Sequence, residues 1–175
     1  MITAEQLNKA NEQLKTVDIK GKKYAQVSER IKAFREICPS GQIFTEIIDK
    51  ENGVVTIKAI VKDDKGYTLA TGLAQEKETS SFINKTSYIE NCETSAVGRA
   101  LGFVGIGVDG SFASAEEVSN AMLNQVISEK DKKVLENMVT SKGYTVEEIF
   151  PGGLDITNAQ FVEAVKKLEK LKAKK

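Results

Sequence analysis

Residues 42–77 read QIFTEIIDKENGVVTIKAIVKDDKGYTLATGLAQEK, and this stretch is the strongest indication of the fold class. It contains three strand-like segments, 42–48, 53–61 and 67–77, separated by two short clusters of turn-forming residues. Short turns between neighbouring strands predict an antiparallel meander. The middle segment alternates apolar and polar residues, so we expect helices to cover one face of the sheet. The other, more polar face is then available for a groove.

Apolar residues at helical spacing flank the meander on both sides. Upstream, an amphipathic N-terminal helix begins after Thr3, and a second helix over 27–38 ends at Pro39. Downstream, the segment 87–104 is predicted as a helix rich in small residues, and a further helix follows Ser114. The predicted fold is therefore α+β, with a three-stranded β-meander packed with helices in a β-β-β-α core.

The last quarter of the chain has a different organisation. From Ser128 onward, apolar residues at helical spacing are interrupted at Gly143 and again over 151–153, and the end of the chain is rich in lysine. This pattern predicts a small helical unit. We therefore divide the chain into a main domain, 1–127, and a helical accessory domain, 128–175.

The composition excludes the machinery of most common enzyme classes. The 175 residues include no histidine, which removes His general bases, His-activated nucleophiles and His metal ligands. Two cysteines, Cys38 and Cys92, do not complete a zinc site, and we expect them to be reduced thiols in the core. Because these catalytic and metal-binding residues are missing, we expect no enzymatic activity, metal or cofactor. No apolar run is long enough to cross a membrane and no signal segment is visible, so we expect a cytoplasmic protein.

Two short motifs have alternative chemical interpretations. Residues 105–110 match GxGxxG, the dinucleotide-binding fingerprint, but they follow a predicted helix, whereas that fingerprint follows a strand. Neighbouring carboxylates, Glu116 with Glu117 and Asp63 with Asp64, are candidates for magnesium binding. The side chains of consecutive helical residues point about 100° apart, so Glu116 and Glu117 are poorly arranged for one metal site. The alternative is that these carboxylates are solvated at the surface.

Cations are concentrated in one segment although the net charge is zero. Between 20 and 35 the chain has six lysines and arginines against a single acid, Glu29, and Tyr24 and Phe34 lie among them. Cations neutralise phosphates and aromatic rings stack on unpaired bases, so this segment is the candidate nucleic-acid-binding surface. The alternative is a solvated basic helix face with Phe34 in the core.

Residues 95–103, SAVGRALGF, together with 88–94 and the three strands before them, resemble the single-strand annealing proteins of the Rad-fifty-two type, which include many phage recombination proteins. The stretch 21–24 and the following helix with Glu29, Arg30 and Ile31 are similar to the segment that precedes the meander in this family. The resemblance covers about 20–118.

The resemblance implies a core that assembles into rings or filaments and binds single-stranded DNA in a basic groove between the meander and the helices. It also implies strand annealing without ATP, in phage-type homologous recombination and repair. Arg30 and Arg99 lie where family members place phosphate-contacting arginines, whereas Gly98 and Gly102 lie where eukaryotic members are basic. An ion pair of Arg99 with Glu93 or another acid is the alternative for that residue. The predicted DNA-binding residues are Lys22, Lys23, Arg30, Lys32, Arg35, Lys85 and Arg99.

The accessory domain has several candidate partners: DNA, a neighbouring subunit, or a host single-strand binding protein. Two other functions remain open for the whole chain. One is an oligomeric protein-interaction factor of phage origin that does not act on DNA, which agrees with the zero net charge. The other is an enzyme acting on a nucleotide or a DNA strand, for which the sequence displays no metal site or base.

Overall fold

The computed structural model of the chain describes residues 2–80, 84–108 and 111–174. Within these residues the protein has seven α-helices, a three-stranded antiparallel sheet and a two-stranded sheet. The predicted α+β fold with a three-stranded meander is confirmed. The chain divides into two compact units, Met1–Ser119 and Asn120–Lys175. Among the described helices, none has the length and apolar character that a membrane span needs.

A helix and a β-hairpin precede the meander. Helix α1 (Ala4–Gln13) begins after Thr3, whose side chain and backbone exchange hydrogen bonds with Gln6. Strands β1 (Thr16–Ile19) and β2 (Lys22–Ala25) then pair antiparallel, and this hairpin was not predicted. Its turn, Lys20-Gly21, has φ values of 53° and 80°, the backbone that a two-residue hairpin turn requires. Lys22 and Lys23, at the start of the basic segment, are therefore held in a strand pair.

The meander consists of β3 (Gln42–Glu51), β4 (Val54–Lys62) and β5 (Thr68–Lys77), with β4 in the middle. Strand β3 extends beyond the predicted end at Ile48 because Asn52 and Gly53, both at positive φ, close a tight turn. A bulge between Ile47 and Asp49 shifts the register near the end of β3.

Two helices flank the meander in the chain, α2 (Val27–Ile37) before it and α3 (Asn84–Val104) after a short 3-10 helix (Glu78–Ser80). Helix α3 packs on β4 and β5 and against α2. It begins before the predicted start at Ser87, where a non-helical backbone kinks it. A Cβ added at Gly72 would lie 2.4 Å from a backbone oxygen of α3, so only glycine permits this approach of strand and helix. The side chains of β4 that face the core are buried: Val55, Ile57, Ala59 and Val61.

The second unit has a core of its own. Helix α4 (Ala115–Leu123) crosses the division between the units, and α5 (Glu129–Thr140), α6 (Val146–Ile149) and α7 (Asn158–Lys170) follow. Capping boxes begin α5, α6 and α7. The predicted domains, 1–127 and 128–175, and the roles assigned to them stay predictions. The buried apolar residues of this unit are Ile127, Leu135, Val139, Ala164 and Leu168.

Candidate nucleic-acid interface

Five of the predicted DNA-binding residues are exposed. Lys22 and Lys23 lie on β2, and Lys85 lies in the first turn of α3. Lys32, on α2, forms an ion pair with Glu29, and this hydrogen bond lowers the pKa of the Glu29 carboxyl. Arg35 lies one turn further along α2 and donates a hydrogen bond to the carbonyl of Gly41. These cations are distributed over three elements, and their contact with DNA stays a prediction.

Arg30 lies in the interior and not at the surface. Its side chain is fully buried between α2, α3 and the segment after α3. Nη1 donates to the Gly98 carbonyl at 2.7 Å, and Nη2 donates to the carbonyls of Gly107 and Phe112 at 3.1 Å each. A longer contact of 3.4 Å joins Nη2 to the Ala113 carbonyl. The prediction that Arg30 contacts phosphate is therefore corrected, because its donors are engaged by backbone carbonyls away from solvent.

The surroundings of Arg30 explain how a buried guanidinium is tolerated. Burial lowers the pKa of Arg30, while the carboxylates of Glu117 and Glu116 act in the opposite direction. Gly102 supplies the space, since a Cβ there would lie 3.0 Å from Nη1 of Arg30, and a Cβ at Gly98 would lie 2.7 Å from the Val27 side chain of α2. Gly98 and Gly102 thus accommodate the close packing of α2 on α3.

Arg99 lies at the surface and has an acidic partner. Its Nη1 is 2.8 Å from Oε1 of Glu117, with the side chain of Arg99 about two-fifths exposed. Its guanidinium also lies 6.0 Å from the centroid of the Phe112 ring. The partner is not Glu93, which instead accepts a hydrogen bond from Thr45. Arg99 is therefore partly accessible to a ligand, although its guanidinium is paired with Glu117.

The described part of the glycine motif serves packing. Gly105 and Gly107 have φ values of 99° and 70° and follow helix α3, not a strand. The Asn11 side chain donates to the Gly105 carbonyl and accepts the Gly107 N–H, so that N–H is not free for a phosphate. These contacts argue against a dinucleotide site. Asp109 and Gly110, the last two residues of the motif, lie outside the described residues.

Three of the four candidate magnesium carboxylates, all except Asp64, accept hydrogen bonds from backbone groups. Both oxygens of Glu116 accept the Val27 N–H at 3.1 Å, which caps the start of α2. Glu117 accepts the N–H of Ser114, and Asp63 accepts two N–H groups in the β4–β5 turn. Among the described residues, no group of three metal-ligating side chains forms a candidate site.

One face of the sheet carries apolar and cationic side chains that are partly exposed. The register places Phe44, Ile60 and Thr71 side by side across the three strands, on the face opposite the buried side chains of β4. Phe44 is 48% exposed, and the Lys62 ammonium lies 5.4 Å from its ring centroid. Lys58 and Leu73 form the neighbouring cross-strand pair. We call this surface the open face: Phe44, Lys58, Ile60, Lys62, Thr71 and Leu73.

A groove of about 580 Å³ borders the open face along β5. Leu69, Ala70, Thr71 and Leu73 line it on the strand side, and Arg99 and Phe103 line it on the side of α3. Phe103 is 62% exposed, and its ring centroid lies 4.6 Å from that of Phe112. Because Thr71 and Leu73 belong to both surfaces, the open face and this β5–α3 groove form one continuous surface.

The second unit contains a separate apolar groove of about 390 Å³. Helix α7 supplies Ala164, Leu168 and the polar side chains of Gln160, Glu163 and Lys167. Apolar residues from outside α7 complete it: Ile149, Phe150, Ile156 and Leu171. This groove has the character of a contact surface for an apolar side chain.

The sequence contained signals for the residues that were missed. The polar positions of the alternating strand β4 include Lys58 and Lys62, which identify the uncovered face once the alternation is recognised. Phe103 follows Arg99 by four residues, so both side chains lie on the same face of α3. Nothing in the sequence identified Phe44 or Phe112, because their environment depends on the register and on the path of the chain after α3.

Comparison with family models gives a match over residues 31–104 to the family described as "Slr1353 N-terminal dsRNA-binding domain-like". The matched segment runs from within α2 through the three-stranded sheet to the last residue of α3, which is less than half of the chain. Comparisons with curated proteins and with solved structures give no match. The resemblance to single-strand annealing proteins stays a prediction. The central segment, which carries the open face and the groove, is thus similar to a domain described as like those that bind double-stranded RNA.

Proposed function

We propose that this protein binds single-stranded DNA on the open face and the β5–α3 groove and promotes the annealing of complementary strands. The observation that carries the proposal is the combination, on one uncovered surface, of Phe44 and Phe103 with Lys58, Lys62 and Arg99. The match of the same segment to a dsRNA-binding domain-like family supports nucleic acid as the partner. The resemblance to annealing proteins supports DNA and recombination.

The mechanism follows from the chemistry of this surface. Cations pair with the phosphates and fix the path of the backbone, and the aromatic rings stack on bases without selecting a sequence. The bases are then held with their pairing edges accessible to a second strand. Annealing makes and breaks no covalent bond, so the proposal includes no cofactor, no metal and no enzymatic step. We also propose that the protein acts in the cytoplasm.

Assembly of several copies is part of the proposal. Strand β3 is an edge strand, and its side chains Ile47 and Ile48 are 51% and 53% exposed. An exposed apolar edge strand favours pairing with another chain. We expect a homo-oligomer whose mass, measured by light scattering, decreases in Ile47→Lys. The apolar groove of the second unit supports a contact with a further protein, for which a single-strand binding protein is the candidate.

The test is fluorescence anisotropy of labelled single-stranded DNA over a range of salt concentrations. Contacts of Lys58, Lys62 and Arg99 with three phosphates predict a log-log salt slope of about −2, since each contact to a single strand contributes about 0.7. Replacing Lys58 and Lys62 together by alanine should reduce the slope to about −0.7 and slow annealing. Lys9→Ala, at an exposed lysine on α1, is the matched control.

Duplex RNA and duplex DNA of the same length distinguish the alternatives. Tight binding of duplex RNA without binding of the single strand would replace the proposal by duplex recognition, as the family description suggests. Failure to bind any nucleic acid at low salt would favour the protein-interaction function. Degradation of the strand in the presence of magnesium would favour an enzyme. Lys22→Ala with Lys23→Ala tests whether the hairpin adds phosphate contacts.

A further inference from the structure

Phe103 has an unusual position for a large apolar side chain. It lies in the last turn of α3, between the buried residues Leu101 and Gly102 and the end of the helix, yet it is 62% exposed. Its ring forms one wall of the β5–α3 groove. An exposed aromatic ring at the wall of a groove contributes little to the core and is available to a ligand.

The ring of Phe103 is held in place by a chain of contacts that ends in the interior. The Phe112 ring packs against it at 4.6 Å between centroids and an angle of 54°. The backbone of Phe112 is fixed in turn by the hydrogen bond from Nη2 of the buried Arg30 to its carbonyl. Arg30 is thus a positioning residue for the aromatic pair, and the pair is organised before any ligand arrives.

The groove combines a flat apolar wall with one cation. Leu69, Ala70 and Leu73 provide an apolar lining, Thr71 provides a hydroxyl, and Arg99 provides the charge. The Arg99 guanidinium is shared between Glu117 at 2.8 Å and the Phe112 ring. A planar aromatic group with an anion attached to it matches this arrangement, and a nucleotide of a single strand has that chemistry.

We infer that the β5–α3 groove seats one unpaired nucleobase stacked on Phe103, with an adjacent phosphate paired to Arg99 in place of Glu117. This inference rests on the proposed function and adds the reason for single-strand preference. A base inside a duplex is stacked on its neighbours and cannot offer its face to Phe103, whereas every unpaired base can. The open face then holds the backbone, and the groove selects for an unpaired base.

The absence of tryptophan from the sequence gives a direct test. In Phe103→Trp the new indole is the sole tryptophan and reports stacking through its fluorescence. Titration with a thymidine strand of about 20 nucleotides should quench the emission about two-fold, whereas an abasic strand of equal length should not. Tyr67→Trp, in the β4–β5 turn where Tyr67 is 70% exposed, is the matched control and should not respond.

A second variant separates stacking from folding. Phe103→Leu keeps an apolar side chain but removes the ring, and it should weaken binding of the thymidine strand about 5- to 100-fold while leaving the urea midpoint unchanged. Phe103→Tyr should bind like the wild type.

The outcomes distinguish this inference from the proposed function. Anisotropy could detect binding while the tryptophan of Phe103→Trp is not quenched, or is quenched equally by the abasic strand. Either result overturns the stacking site and leaves the DNA-binding proposal standing. The absence of binding by every strand at low salt overturns both.

Discussion

Replacement of Arg30 by methionine tests whether this residue stabilises the fold or contacts DNA. The substitution removes three hydrogen bonds of 2.7–3.1 Å and leaves the carbonyls of Gly107 and Phe112 without this donor, whereas the Gly98 carbonyl lies inside α3 and keeps its intrahelical partner. A buried acceptor that loses its partner costs about 1–3 kcal/mol, and removing a buried charge offsets part of that sum. We therefore expect Arg30→Met to lower the free energy of unfolding by about 2 kcal/mol, taking the lower limit for each of the two carbonyls.

Urea denaturation measures this effect, with circular dichroism and thiol labelling as the two signals. Both cysteines, Cys38 and Cys92, are free and buried in the first unit, so their labelling reports the opening of that unit alone. Lys32→Met is the control, because its ion pair with Glu29 is exposed and screened by solvent and therefore contributes little to stability. If Arg30→Met unfolds at the wild-type urea concentration and loses DNA affinity, the structural role is wrong and the phosphate role returns.

Three further predictions concern packing, thiol chemistry and pH. Gly72→Ala should destabilise the first unit by about 3 kcal/mol, because its Cβ meets the backbone of α3, whereas Gly152→Ala, with open space around it, should be neutral in the same urea titration. Burial raises the pKa of the Cys92 thiol, so labelling at about pH 8 should be at least about 100-fold slower in the native protein than in urea; equal rates would contradict its burial. The Lys132 ammonium lowers the pKa of the Asp155 carboxyl, so this pair stabilises the fold at neutral pH and the stabilisation is lost as the pH falls through the lowered pKa. Asp155→Asn should therefore shift the urea midpoint at pH 7, and the shift should disappear as the pH falls through that lowered pKa.

The prediction for Arg30 was wrong for a reason visible in the helix itself. Arg30 follows Val27 by three residues and precedes Phe34 by four, so it belongs to the buried stripe of α2 and not to the basic face. Lys32 and Arg35, which do not share that spacing, are exposed as expected. The count of lysines and arginines between 20 and 35 treated Arg30, Lys32 and Arg35 alike, because such a count ignores the direction in which each side chain leaves the helix.

The position of Phe44 illustrates what local patterns omit. Near the bulge, strand β3 does not alternate between polar and apolar residues. Its own sequence therefore does not show which of its side chains face the helices. Pairing with β4, whose alternation is unambiguous, places Phe44 beside Ile60 on the open face. The assignment therefore required the cross-strand register, a non-local property.

The three strands of the meander and the flanking helices could be predicted because periodicity and turn residues act over a few neighbouring positions, and the lack of histidine chemistry follows directly from the composition. Only the packed fold establishes that Arg30 is buried, that Arg99 pairs with Glu117, and that Phe103, packed against Phe112, lines a groove. These arrangements join residues that are distant in the chain. Their energies depend on which faces pack together, and packing is settled only when the whole core forms.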